Sequence, residues 1–254
     1  MRAGPDNRRI RFVSFSGIDG AGKTTQIDAL RTSLEEAGLR VLLLSFWNDV
    51  ARLTRIREVT GHTLFKGDKG AGTPDAPINR RDKNVRSWAM TLVRLLLYFV
   101  DAVSLRFAVK KALKSDIDFV IFDRYTYDEL ANLKLSNPAN QAYIRLIVSF
   151  VPKPHISYLL DADPVQARAR KPEYPLEFLY TNRESYLALN KLIGGLTVIS
   201  PTSIEDAGRK ILRHTLDLLC LDAARSTLAQ RLVGRDDQEG VSRLDGQDAR
   251  PLNL

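Results

Sequence analysis

A chain of 254 residues, 44% of them hydrophobic and 27% charged, can bury one sizeable core and has the composition of an ordinary globular protein. Its single cysteine, Cys220, excludes an intrachain disulfide and suits a reducing cytoplasm, while a net charge of +8 fits phosphorylated or otherwise polyanionic partners. Arg8, Arg9 and Arg11 interrupt the only early apolar stretch, and the most apolar segment, residues 91–113, carries five charges, so neither a secretory signal nor a membrane span is expected.

Residues 1–9 read as a disordered, basic leader. Residues 10–15 are short and β-rich, as a buried strand should be. Gly17-Ile-Asp-Gly-Ala-Gly-Lys-Thr-Thr25 follows, and Gly17, Gly22, Lys23 and Thr24 fill the Gly-x4-Gly-Lys-Ser/Thr pattern of a phosphate-binding loop. A loop that wraps a triphosphate must turn its N–H groups inward, which residues without Cβ allow. A helix starting near Lys23 adds its unpaired N–H groups and positive dipole end. Gly17, Asp19, Gly20, Ala21, Gly22, Lys23, Thr24 and Thr25 are therefore the expected nucleotide cradle, with Lys23 on the β- and γ-phosphates and Thr24 on Mg²⁺. The apolar spacing of Ile27, Leu30 and Leu34 continues the helix until Gly38 stops it.

Residues 40–46 read as a second, fully buried strand, and residues 48–60 as a short helix carrying Arg52, Arg55 and Arg57. Residues 61–86, with four glycines and two prolines, read as a mobile loop near the phosphates. A long helix over residues 87–113, apolar enough to pack on several sides, precedes a third strand at 118–123 that ends in Asp123-Arg-Tyr125. Helices are expected at 127–135 and 139–150, then a fourth strand at 155–160. Asp163 should cap the next helix, with Pro164 at its first position. A helix at 176–192, a fifth strand at 196–200 and a helix at 203–219 complete the series, and residues from 221 grow polar and should fray. Alternating strands and helices imply a parallel sheet covered on both faces.

A carboxylate at a strand's carboxyl end beside a phosphate loop is placed to hold Mg²⁺ or its water shell, so Asp123 joins Thr24 as a candidate metal ligand. Arg124 can neutralise a second, phosphorylated molecule. Trp47, just past the second strand, should line the acceptor cleft, while Tyr98, Phe99 and Trp88 read as packing. His62, His155, His214 and Cys220 form no metal cluster, and no aromatic-plus-basic module argues for nucleic acid.

Four separated motifs resemble the thymidylate kinase family. They are the loop through Gln26, Asp123-Arg-Tyr125, residues 159–164 followed by Arg168 and Arg170, and Glu177-Phe178 with Arg183-Glu184-x-Tyr186. Residues 198–205 also look like that family's last strand and adenine-side loop. The resemblance runs in order from about residue 10 to 220 and implies a three-layer α/β P-loop NTPase domain with a five-stranded parallel sheet, a helical lid at 165–178 and an inserted mobile loop. It implies Mg²⁺-dependent phosphoryl transfer from ATP to a nucleoside monophosphate, with thymidylate the first acceptor to test. Asp19 would touch the acceptor sugar, Arg124 its phosphate, and Arg168 and Arg170 would close over ATP. Related kinases dimerise through long apolar helices, which makes residues 87–113 a candidate homodimer interface.

The departures concern the acceptor. Phe46-Trp-Asn-Asp49 stands where the family carries Arg-Glu-Pro, and the helix at 98–102 lacks the arginine that reads thymine. Asp128 and Leu133 replace an expected serine and glutamine, Ser16 stands at a position that is usually Glu, and Thr181 replaces a lid arginine. Groups for phosphoryl transfer are kept while base-reading groups are not, which relaxes or changes specificity. Asp128 is expected to face a hydrogen-bond donor on the acceptor. Two other readings stay open: a kinase of another small acceptor, such as a nucleoside or sugar-like metabolite, and a non-catalytic ATP-binding switch or scaffold.

Overall fold

Five short apolar runs line up side by side, all parallel, in a computed structural model that describes residues 10–50 and 88–220. The strands are β1 (Arg11–Ser16), β2 (Val41–Ser45), β3 (Phe119–Asp123), β4 (Ile156–Leu160) and β5 (Leu196–Ile199), in the order β2-β3-β1-β4-β5. Parallel strands need crossover connections, and helices supply them on both faces of the sheet. The central three strands carry the apolar residues, with Val13, Phe15, Phe119, Ile121 and Phe122 fully enclosed. The register sets Phe15 opposite Asp123, so the end of β1 and the end of β3 stand together at the carboxyl edge of the sheet. Ligands bind at that edge in open parallel sheets.

Helix α1 (Lys23–Glu36) leaves the phosphate loop directly, with Gly22 at its N-cap in the left-handed region at φ 85°. After β2 a single π-helical turn spans Phe46–Val50. Helix α2 is Trp88–Ala112, α3 is Thr126–Leu130 and α4 is Pro138–Phe150. Helix α4 starts on the caps its sequence offers: Asn137 accepts from the Ala139 N–H at 2.9 Å and Pro138 occupies the first turn. Helix α5 (Pro164–Arg170) does the same, with Asp163 accepting from the Gln166 N–H at 2.9 Å. Helix α6 (Leu176–Ile193) follows, and Ser203 caps a last helix over residues 204–220 by accepting from the Asp206 N–H at 3.1 Å. The chain divides into two compact units after Ile211; the sheet and the site belong to the first, and residues 212–220 to the second.

Three sequence expectations differ from what is observed. Among the described residues β2 pairs with β3 alone, at the edge of the sheet, and each of its residues is half-buried. The helix expected at 127–135 ends at Leu130, and turns continue to the Asn137 cap. Helix α2 buries Tyr98, Ala102, Leu105 and Val109 but leaves Leu92, Leu96, Phe99, Val100 and Phe107 exposed, so among the described residues it packs through one side. The leader at 1–9, the mobile loop at 61–86, most of the helix expected at 48–60 and the tail at 221–254 lie outside the described residues. No helix among the described residues is long and apolar enough to cross a membrane.

Candidate active site

The phosphate loop is closed by two contacts in which backbone meets backbone. A Cβ added to Gly17 (φ 142°) would come within 2.5 Å of the Leu160 carbonyl oxygen, and one on Gly20 (φ 80°) within 2.2 Å of that of Ala167. Only glycine lets the loop lie this close to the end of β4 and to α5. Lys23 curls back over the loop, and its buried ammonium donates to the carbonyls of Gly17 and Ile18, both at 2.9 Å. Burial and the neighbouring charge of Arg124 lower the Lys23 pKa to about 8, against the pull of Asp19, Asp128 and Asp123.

Arg124 is the only non-glycine residue with positive φ among those described, at 69°. An L-residue held there costs about 1–2 kcal/mol, and strain of this kind clusters where a side chain has to be aimed. Three bonds hold it. Its N–H donates to the Phe15 carbonyl at 3.0 Å, Nη2 donates to Asp19 at 2.5 Å and Nη1 to Asp128 at 3.4 Å. Arg124 thus ties the end of β3 to the phosphate loop. Burial would raise the Asp19 pKa, but the positive charges of Arg124, Lys23 and Lys171 prevail and hold it below the usual carboxylate range.

Asp128, beneath Arg124, is 4% exposed. Its carboxylate accepts from the Ser16 hydroxyl at 2.6 Å, the Tyr125 N–H at 3.0 Å and the Tyr186 hydroxyl at 2.7 Å, besides Arg124. Burial foremost, with the Asp128 charge, pushes the Tyr186 phenol well above its ordinary value and keeps it a donor. Asp128 lines the acceptor cleft as expected, and its carboxylate is at the same time bonded by the protein itself. The sequence does not show this, because Ser16 and Tyr186 lie 112 and 58 positions away.

Above these groups opens a cleft of about 300 Å³. Asp19 and Arg124 form its loop side, Trp47 enters from the π-helical turn, Asn132 from beyond α3, and Lys171, Tyr174, Phe178 and Asn182 from α6 and the turn before it. Tyr174 and Phe178 stack with ring centroids 5.0 Å apart. Sequence reasoning placed Trp47 in this cleft and missed Lys171, Tyr174, Asn132 and Asn182. Lys171 extends the basic run of Arg168 and Arg170, and the four-residue spacing of Tyr174 and Phe178 was a usable signal; the two asparagines carried none.

On the other side of the loop, Gly22 and Gln26 face Ser200–Ile204 across a pocket of about 50 Å³ that Arg170 also lines. Arg168 buries its Nε without a hydrogen-bond partner. Thr24 and Thr25 open α1, Ala21 turns within the loop, and Asp123 closes β3 next to it. Among the described residues no group of three or more His, Cys, Asp or Glu side chains could hold a metal ion alone. His155 instead accepts the Phe12 N–H on Nδ1 at 3.1 Å.

No family model matches the chain. The thymidylate kinase of Prochlorococcus marinus (strain AS9601) is 31% identical over 165 residues, which span 63% of this chain and 70% of that protein. The chain belongs to the thymidylate kinase family. Proteins named probable thymidylate kinase align over more of it: that of Methanosphaera stadtmanae at 26% over 209 residues (81% of this chain, 96% of the relative) and that of Pyrococcus abyssi at 28% over 215 (79% and 93%). The motifs that resemble this family meet in space. Tyr186 reaches Asp128, and Arg183 donates to both oxygens of Asp161 at 2.5 and 2.8 Å. Two of the departures from the family pattern, Ser16 and Asp128, are bonded to each other.

Proposed function

We propose that this protein transfers the γ-phosphoryl group of ATP, with Mg²⁺, to thymidine monophosphate in the 300 Å³ cleft. The observation that carries the reading is the Arg124–Asp19 pair, which puts an acceptor-side guanidinium 2.5 Å from the phosphate loop. Family membership supplies the acceptor, through relatives named thymidylate kinase.

The residues present fit ATP and Mg²⁺. The Gly17 and Gly20 approaches shape a cradle that a side chain would fill, and Arg168 Nε is a buried donor without an acceptor. The loop N–H groups, Lys23 and Arg168 would hold the phosphates, with the adenine in the pocket beside Gln26. Thr24 and Asp123 would hold Mg²⁺, which would neutralise phosphate charge there. Arg124 and Lys171 bind and orient the acceptor phosphate. An oxygen of that phosphate attacks the γ-phosphorus, the β–γ bridge breaks, and ADP and thymidine diphosphate leave. Arg168 and Arg170 meet charge that builds on the transferring group, and residues 165–178 keep water out. Trp47 and the Tyr174–Phe178 pair flank the base, with Asn132 and Asn182 at hand for its polar edge.

The reading extends to a cytoplasmic homodimer. Leu96 (57% exposed) and Phe107 (63%) lie on one line of α2 with Leu92 and Val100, an apolar stripe that a second copy would cover. The test of function is thymidine monophosphate-dependent formation of ADP, abolished by Lys23→Ala. ATP binding with no acceptor consumed would favour a switch or scaffold instead.

A further inference from the structure

We infer that Asp128 is a positioning residue: its carboxylate, seated on the hydroxyl that ends β1, fixes Arg124 for the acceptor's phosphate, and Ser16 and Asp128 form one acid–hydroxyl pair. The inference rests on the kinase reading for the identity of what Arg124 binds, but its geometry stands alone. A carboxylate this buried is tolerated only when its lone pairs are met. Four donors from three elements meet them: Ser16 from β1, the Tyr125 N–H and Arg124 beside α3, and Tyr186 from α6. Arg124 is thereby held between two carboxylates, Nη1 toward Asp128 and Nη2 toward Asp19, in a backbone conformation that would otherwise relax. Its remaining N–H groups are left for the cleft it lines.

The pair is directional. Ser16 can donate to Asp128 but cannot accept from Arg124 with a full negative charge, so the acid has to come from α3. A glutamate at 16 facing a serine at 128 would put an acid and a hydroxyl into the same space from opposite sides. Each single exchange should then fail for a different reason. Ser16→Glu sets two carboxylates against each other, and Asp128→Ser leaves none. The double exchange restores one of each, so the two substitutions should compensate rather than add.

The experiment measures the KM for thymidine monophosphate and the Kd for ATP in wild type, S16E, D128S, S16E/D128S and the isosteric D128N. S16E, D128S and D128N should each raise the acceptor KM about tenfold or more, with the ATP Kd within about twofold of wild type, and S16E/D128S should return the KM to within about threefold. A double variant no better than the worse single one, or an unchanged acceptor KM in D128N, overturns the inference. Tyr186→Phe keeps core volume and removes one donor from the carboxylate, so it decides the point if D128N does not fold: a KM raised about threefold supports the inference and an unchanged KM overturns it. If wild type turns over no nucleoside monophosphate, the kinase reading fails by itself. Crystal structures of wild type and D128N then decide: loss of the Arg124–Asp19 contact supports the positioning role, and its retention with Arg124 still at positive φ overturns it.

Discussion

At Lys23 the fold has lowered the pKa to about 8, so in the ligand-free protein the ammonium is charged below that pH and neutral above it. A triphosphate recruits the charged form, and above pH 8 binding must therefore take up a proton. The expected outcome is an ATP Kd that is flat below pH 8 and weakens by about tenfold per pH unit above it. Titration by fluorescence between pH 6 and about 10 checks this. Lys23→Arg, always charged, should lose the inflection. A flat profile in the wild type would show that Lys23 does not carry the proton. Gly20 and Gly22 make a second residue-scale test. Alanine at 20 would drive its Cβ into the Ala167 backbone, whereas at 22 it meets open space and only the left-handed φ opposes it. G22A should cost about 1–2 kcal/mol, and G20A more than that, with loss of ATP binding, as read from thermal unfolding and nucleotide titration. The reverse ranking would contradict the loop–α5 contact.

Among the elements, the ones with local signals were legible and the ones set by their neighbours were not. Asn137-Pro138 and Asp163-Pro164 announce the starts of α4 and α5 by capping chemistry that needs no tertiary partner. Strand composition found all five strands to within a residue or two. It could not tell that β2, as apolar as β1, lies at an edge, because edge position is a property of sheet order. Helix α2 misled in the same way: its apolar residues run all round, and only packing divides them into a buried row through Tyr98, Ala102 and Leu105 and an exposed row through Leu96 and Phe107. That exposed row carries the dimer proposal. L96E/F107E should convert a dimer to a monomer in light scattering, with thermal stability of the monomer changed by less than about 1 kcal/mol because neither side chain is in the core. A wild type that is monomeric at every concentration would contradict it.

For the molecule as a whole, the phosphate loop, the Asp-Arg-Tyr turn and their order along the chain were enough to name a family, since each motif does chemistry that tolerates few residue types. What they could not give was the acceptor end of the cleft. Lys171, Tyr174 and Asn182 come together there from a turn and a helix, and Asp128, which lines the same cleft, is also bonded by Ser16 and Tyr186. Side-chain satisfaction of that kind depends on distances no linear pattern contains. Transfer requires two reactants to meet between the loop and Arg124. Its most direct test is ADP release by the purified protein with ATP, Mg²⁺ and each nucleoside monophosphate in turn. Turnover with thymidine monophosphate is expected, lost in Lys23→Ala and with a raised acceptor KM in Arg124→Lys. ATP bound tightly but no monophosphate accelerating its conversion to ADP would contradict it.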